Sequence, residues 1–171
     1  ASVNFPTYVD LDGSFFQSLP NQENALILLR AYNDWHIDEW CGSYPGRNIP
    51  MAIIPFWNIG AAVEEIKRVA AKGCRAISMC DNPSLKGCPS IHNAHWEPLW
   101  RVCAEYEIVI NLHIASGARA PHASMESPID CWIISMPMAV ANSAADWLFL
   151  GALDRHPNLK ICLAEAGIGW I

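Results

Sequence analysis

The sequence has little basic charge and no long apolar run, and these two shortages exclude whole classes of partner. Its 171 residues include 11 lysines and arginines against 17 aspartates and glutamates, a formal net charge of −6. Such an acidic chain offers no electrostatic attraction to nucleic acid or to an anionic membrane. An apolar run of about 18 residues, which a transmembrane helix needs, is also missing. We therefore expect no nucleic-acid partner and no membrane partner.

Several familiar sequence motifs are missing as well. No GxGxxG segment, P-loop lysine or GxSxG elbow follows a predicted strand, which removes the usual support for nucleotide binding or serine-hydrolase chemistry. Seven cysteines, an odd number without CxxC spacing, argue against a disulfide framework. Buried free thiols fit a reducing compartment, so we expect a cytoplasmic protein. The start lacks an initiator Met and a signal-type core, which predicts a processed or truncated start.

The sequence does contain an alternation of helical and strand-like segments. Turn signals without a clean period predict a loop over residues 1–20. Apolar runs rich in β-branched residues predict strands buried on both faces over 49–56, 75–80, 108–114 and 159–167. Helical spacing predicts helices over 21–41, 58–73, 95–106 and 128–155. This alternation is typical of parallel strands with helical crossovers, so the class is α/β, although periodicity alone does not separate a barrel from an open sheet.

Two polar side chains stand where predicted strands end. His113 ends the third strand, where a neutral imidazole is a natural metal ligand. Glu165 ends the fourth, and a carboxylate there must face a metal, a cation or water. We therefore take His113 as a candidate metal ligand and Glu165 as a candidate catalytic residue. The alternatives are a core histidine bonded to a carbonyl and a structural ion pair.

Two further residues follow the first and second predicted strands. Trp57 is a candidate wall of a substrate pocket, and Asn82 is a candidate hydrogen-bonding contact to a small-molecule substrate. The alternative for Asn82 is a local role, because Asp81-Asn82-Pro83 is also a good turn sequence.

Four segments carry a resemblance to a known family: RAYNDWHIDEWCGSYPGRNIPMAIIPFWN, DNPSLKGCPSIHNAHWEPLW, INLHIASGA and HPNLKICLAEAGIGWI. In order and spacing they resemble the amidohydrolase-related family of metal-dependent hydrolases and decarboxylases from about Asn21 onward. The resemblance implies that the predicted strands are the third to sixth of a distorted (β/α)8 TIM barrel. Residues 1–171 would then form a single incomplete barrel domain, since a complete barrel typically needs about 250 residues.

The resemblance also implies a metal site. In the family a divalent ion, usually zinc, is held by a histidine pair on the first strand, a histidine on the fifth and an aspartate on the eighth. His113 matches the fifth-strand ligand, whereas the sequence contains no His-x-His pair and no segment for an eighth strand. The sixth strand ends in LAEAGIGW, so Glu165 stands where the decarboxylase branch usually has a histidine.

These observations lead to one expected function and several alternatives. For the intact protein we expect metal-assisted hydrolysis of a small carboxylic or cyclic substrate, with nonoxidative decarboxylation as the alternative. Two other readings are a non-catalytic α/β module and a metal-free barrel enzyme with Glu165 as general base. The 171-residue chain alone should have little activity. Exposed strand edges and apolar helix faces should favour self-association, so we expect a homo-oligomer.

Overall fold

The computed structural model describes residues 1–117 and 121–167, which alternate strand and helix. The strands described are β1 (Ser2–Val3), β2 (Asn48–Ile49), β3 (Met51–Ile53), β4 (Ala76–Met79), β5 (Val109–His113) and β6 (Lys160–Ala164). The α-helices are α1 (Ser14–Gln17), α2 (Gln22–Asp34), α3 (Ile59–Ala71), α4 (Glu97–Glu105), α5 (Ile129–Phe149) and α6 (Ala152–Arg155). The α/β class predicted from the sequence is confirmed.

The main sheet has four strands in the order β3-β4-β5-β6, and every neighbouring pair is parallel. Each strand therefore lies beside the next one in the chain, with α3, α4 and α5–α6 in the connections. This sequential order is that of a barrel wall, whereas a doubly wound sheet reverses its order at a switch point. Only Pro50 separates β2 from β3, and β2 pairs in parallel with β1.

The two faces of the sheet are packed differently. Successive strand residues point to opposite faces. Ala52, Ile77 and Ile110 belong to a large apolar core shared with α3 and α4. On the next register row, Ile53 pairs with Ser78, and Ser78 with Asn111. The face covered by the helices is therefore apolar. The opposite face carries polar side chains, among them Ser78 and Asn111.

The N-terminal segment covers part of this second face. Val9 and Phe16 pack with Leu29 and Ile53 in a separate apolar cluster. Gly13 has a φ of 80°, and a Cβ there would overlap the Ile53 side chain, so only glycine allows this close approach. Residues 1–20 were predicted to be a loop, and this is wrong at β1 and α1. The helix α1 forms because it can bury Phe16 against α2.

Other elements differ from the prediction in their details. The helix predicted over 21–41 is α-helical only to Asp34, and Trp35–Cys41 forms a π-helix. The helix predicted over 128–155 is interrupted at Gly151, which has a φ of 72°. Glu65 of α3 is buried, and its Oε1 accepts a hydrogen bond from Asn33 of α2 at 2.8 Å.

Two further observations concern the environment of the chain. In residues 1–117 and 121–167 no helix combines the length and the hydropathy that crossing a bilayer requires. All seven cysteines have free thiols. The expected cytoplasmic location stays a prediction.

Candidate functional site

His113 is held at the end of β5 by contacts on both sides of its ring. Its Nδ1 lies 2.7 Å from the carbonyl oxygen of Ile114, which can only accept, so Nδ1 carries the proton of this hydrogen bond. The ring of Phe5 packs edge-on against the imidazole, with centroids 4.7 Å apart. In the neutral form of the imidazole, this bond leaves the lone pair of Nε2 free, which is the arrangement of histidines that bind metals.

Glu165 follows β6 directly and reaches toward the same histidine. Its Oε1 lies 3.5 Å from His113 Nε2, and its side chain is 71% exposed against 12% for His113. The register explains this proximity, because His113 pairs with Ala164, the residue before Glu165. The sequence placed these two residues at separate strand ends, and the structure brings them together.

The backbone after these two strands is unusual. Glu165 has a φ of 59° and Ala115, two residues beyond His113, has a φ of 65°. Non-glycine residues in this left-handed region cost about 1 kcal/mol or more each, and such residues cluster at functional sites. This left-handed conformation turns the chain at the end of each strand, and the Glu165 carboxylate lies beside the His113 imidazole.

The donor atoms here fit part of a metal site. A neutral imidazole nitrogen and a carboxylate oxygen are both ordinary zinc ligands. Within the described ranges, however, no group of three or more His, Cys, Asp or Glu side chains is placed to share an ion. A catalytic zinc takes three protein ligands. Any ion beside His113 would therefore need ligands from outside the described residues.

Asp81 was overlooked by sequence reasoning, which treated it as part of a turn. It follows β4 closely and is only 4% exposed. Its Oδ1 accepts a hydrogen bond from Ser116 at 3.1 Å and its Oδ2 one from Ser143 at 2.7 Å, while its carbonyl accepts from Trp147 Nε1 at 3.2 Å. Asp81 thus joins the end of β4 to the loop after β5 and to α5. The sequence signal that could have identified Asp81 is an acidic residue just beyond a buried strand.

The structure places Asn82 in the turn after β4. Its Oδ1 accepts a hydrogen bond from Ser84 Oγ at 2.5 Å, and its carbonyl accepts from Leu85 N at 3.2 Å. These contacts support the local role that the turn sequence also predicted. Its contact to a substrate stays a prediction.

Trp57 follows β3 by four residues in the chain. It is half-buried, packs against both larger apolar clusters and meets Phe56 edge-on at 5.4 Å. It also lines a surface groove with Gln22 and His95. The described lining of that groove does not include His113 or Glu165, and the predicted role of Trp57 in substrate binding stays a prediction.

A second buried acid, Asp12, was also missed. The N-terminal segment brings it beside β4, where its Oδ1 accepts from Ser14 N at 2.9 Å. Lys86 Nζ lies 3.7 Å from its Oδ2. Burial raises the pKa of the neighbouring Cys80 thiol, and the Asp12 charge adds to the effect. Asp12 therefore accepts a hydrogen bond from the first residue of α1 and forms an ion pair with Lys86 in the segment after β4.

The sequence of residues 20–171 matches a protein family described as Amidohydrolase. The chain belongs to the amidohydrolase family. The family recognised from the sequence is thereby confirmed, and the sequential parallel strands form part of a (β/α)8 TIM barrel. Members of this family are enzymes and are generally metal-dependent.

Individual amidohydrolase relatives are similar over most of the chain. A 2-amino-3-carboxymuconate-6-semialdehyde decarboxylase of Dictyostelium discoideum is 24% identical, over 85% of this chain and 39% of its own length. A gamma-resorcylate decarboxylase of Rhodococcus jostii (strain RHA1) is 23% identical, over 94% of this chain and 51% of its own length. The crystal structure of an amidohydrolase from Mycobacterium avium subsp. paratuberculosis superposes with a TM-score of 0.74 at 22% identity, over 97% of this chain and 44% of that one. The chain thus spans about half the length of these relatives, or less.

Proposed function

We propose that the protein is a metal-dependent amidohydrolase that hydrolyses a small carboxylic or cyclic substrate. The pairing of His113 with Glu165 carries this proposal. In a neutral imidazole, the bond from Nδ1 to the Ile114 carbonyl leaves Nε2 as the accepting nitrogen, and Nε2 faces a carboxylate oxygen at 3.5 Å. Two acceptors at this distance need a proton or a cation between them. Metal-assisted hydrolysis requires a site that holds a cation at the strand ends.

The two side chains have different roles in the proposal. His113 is held by Phe5 and by the Ile114 carbonyl, so it suits a fixed ligand. Glu165 is largely exposed and can accept a proton from water or a substrate group and return it at Oε1. A divalent ion, most readily zinc given the nitrogen and oxygen donors, would supply Lewis acidity toward a substrate carbonyl or carboxylate oxygen.

Nonoxidative decarboxylation is the second candidate reaction. The specific observation in its favour is that both curated relatives described above are named decarboxylases. Glu165 would then deliver a proton to the carbon that loses the carboxylate, rather than handle the proton of an attacking water. The two reactions differ in product, since only decarboxylation releases carbon dioxide from the substrate.

The first experiment measures metal content and turnover of the protein made at the full length of its gene. We expect about one divalent ion per chain, which His113→Ala removes together with activity. Glu165→Gln should keep the ion and lose most of the turnover. His92→Ala, a change at an exposed histidine outside this site and outside the groove of Trp57, is the matched control and should alter neither.

Three results would contradict the proposal in different ways. A metal-free protein with activity would point to the barrel enzyme with Glu165 as general base. An inactive, metal-free protein would point to the non-catalytic module. Full metal content after His113→Ala would show that the ring is a core histidine. Carbon dioxide release from aromatic acids, without hydrolysis of amides or lactones, would favour the second candidate over the first.

A further inference from the structure

The chain turns sharply at the end of β5, directly after His113. The amide of Ser116 donates a hydrogen bond to the His113 carbonyl at 3.2 Å, which closes a β-turn over residues 113–116. Ala115, the third residue of this turn, has a φ of 65°. A positive φ at this position is typical of a type II turn, where glycine or asparagine is usual. Alanine resists the conformation because its Cβ crowds a neighbouring carbonyl oxygen, so contacts outside the turn must hold it.

The conformation of this turn determines how the His113 ring is held. Nδ1 of the ring donates to the Ile114 carbonyl, which belongs to the central peptide of the turn. In a type I turn, the commonest kind, the ψ of the second residue differs by roughly 150° from its value in a type II turn. A change to type I would therefore rotate the Ile114 carbonyl away from Nδ1. The ring would lose its acceptor and could rotate.

The side chain of Ser116 ties this turn to the end of β4. Its Oγ donates to Asp81 Oδ1 and accepts from the backbone N–H of Asp81, both at 3.1 Å. The Ser116 carbonyl accepts a weaker hydrogen bond from Cys80 Sγ at 3.6 Å. Ser116 is 5% exposed and Asp81 4%. Water therefore does not readily replace these bonds when the hydroxyl is removed.

We propose that Ser116 is a positioning residue for His113. Its hydroxyl holds the 113–116 turn in the left-handed form, and this form keeps the Ile114 carbonyl on Nδ1. The bond from the Asp81 backbone N–H does not need the Asp81 side chain, so the serine hydroxyl is the group common to both contacts. Where the inference concerns a metal it rests on the proposed function, but the holding of the ring does not require an ion.

The test compares Ser116→Ala with Ser143→Ala in the protein at its full gene length. Both serines are 5% exposed and each donates to one carboxylate oxygen of Asp81, but Ser143 lies on α5, outside the turn. The first measurement is the NMR signal of the His113 Nδ1 proton in metal-free protein with ¹⁵N-labelled histidine. This proton exchanges slowly only while it is bonded to the Ile114 carbonyl. The signal should be present in the wild type and in Ser143→Ala, and absent in Ser116→Ala.

The second measurement is zinc affinity, by competition with a chelator. Loss of the hydrogen-bond partner of a metal-binding histidine typically costs about 10- to 100-fold in affinity, so Ser116→Ala should bind zinc about tenfold more weakly. Ser143→Ala should differ from the wild type by less than about twofold. A wild type that binds no zinc would contradict the proposed function, while the proton signal would still test Ser116. Wild-type behaviour of Ser116→Ala, or equal losses in the two serine variants, would overturn the inference.

A double variant, Ala115→Gly/Ser116→Ala, separates positioning from a general loss of stability. Glycine adopts a positive φ without steric cost, and Ala115 is exposed, so removing its methyl group leaves no cavity. The double variant should regain the Nδ1 proton signal and most of the tenfold loss in zinc affinity. It also decides the question if Ser116→Ala alone fails to fold. A double variant that is unfolded or lacks the signal would show that Ser116 does not act through the left-handed turn, and would overturn the inference.

Discussion

Two strands of the same sheet are followed by a carboxylate, and the two carboxylates have opposite environments. Asp81, beyond β4, is 4% exposed, and both of its side-chain oxygens accept hydrogen bonds from serine hydroxyls. Glu165, after β6, has a side chain that is 71% exposed and lies 3.5 Å from His113 Nε2. Position along the strands is nearly the same in the two cases.

The difference shows that a strand-end position alone does not identify a functional residue. A buried acid whose oxygens already have donors has little capacity left for a substrate, and removing it leaves those donors unpaired. An exposed acid beside an imidazole can still bind an ion or exchange a proton. We therefore expect changes at Asp81 to act on folding and changes at Glu165 to act on chemistry.

The largest effect should come from Asp81→Ala. The change leaves the buried Ser116 hydroxyl without its acceptor, and Ser143 keeps only the Ala139 carbonyl at 3.2 Å. We therefore expect a loss of about 3 kcal/mol in the free energy of unfolding. Urea denaturation measures this loss. Asp154→Ala, at an exposed position, is the control and should change stability by less than about 0.5 kcal/mol. A stable Asp81→Ala protein that has lost only activity would reverse the assignment of the two carboxylates.

A second change, at Gly117, tests how tightly the residues around Asp81 are packed. A Cβ at Gly117 would lie 2.5 Å from Asp81 Oδ1 and 2.7 Å from Cys80 Sγ. We expect Gly117→Ala to cost about 2 kcal/mol, because this part of the core has no room to shift. Gly60→Ala is the matched control. Its Cβ would meet only Asn58 Oδ1 at 3.7 Å, and alanine in a helix should leave stability unchanged or slightly higher. Equal thermal midpoints for the two variants would show that the Asp81 region is loosely packed.

In the site around Glu165, His113→Ala should have a modest effect on the stability of the fold. The change removes one hydrogen bond to a carbonyl and the edge contact with Phe5, which together stabilise the fold by about 1 kcal/mol. Glu165→Gln should change stability by less than about 0.5 kcal/mol, since its side chain is mostly in water. Denaturation in the presence of a chelator measures both. A loss of about 3 kcal/mol or more in the free energy of unfolding for His113→Ala would support the alternative interpretation, in which His113 is a core histidine bonded to a carbonyl.

The sequence predicted the features that depend on neighbouring residues. Apolar periodicity identified the α/β class and the four strands of the main sheet, because each pattern lies within a few residues. It also placed His113 and Glu165 at strand ends. Their 3.5 Å contact followed only from the register of β5 and β6 and from the left-handed backbone at Glu165.

The features that were missed depend on residues far apart in the chain. The donors to Asp81 lie 35 and 62 residues away, and Asn33, the donor to buried Glu65, lies 32 residues away. No local pattern separates Glu65 from its exposed neighbour Glu64, since both stand on the polar side of α3. Burial of a polar residue is decided by which other element packs on it, so a single-sequence pattern does not reveal it.

A final and smaller effect comes from a buried histidine, His36. His36 is buried, stacks on Tyr32 and has its Nε2 3.6 Å from Cys41 Sγ. Burial lowers the pKa of His36. Between the ordinary value, about 6.5, and the lowered value, the unfolded chain binds a proton that the folded chain does not. Stability should therefore fall as the pH drops below about 6.5, by at most about 1.4 kcal/mol per pH unit.

His36→Gln removes this proton-binding difference, so the fall in stability between pH 6.5 and pH 5 should become shallower than in the wild type. Urea midpoints at several pH values measure the slope, which does not depend on how much the variant is destabilised overall. Asp34 and Glu97 lose their contributions only in more acidic solution, because side-chain hydrogen bonds, first from Arg68 to Asp34 and from His156 to Glu97, lower the pKa of each carboxyl. An unchanged slope would mean that the folded protein protonates His36 as readily as the unfolded chain does.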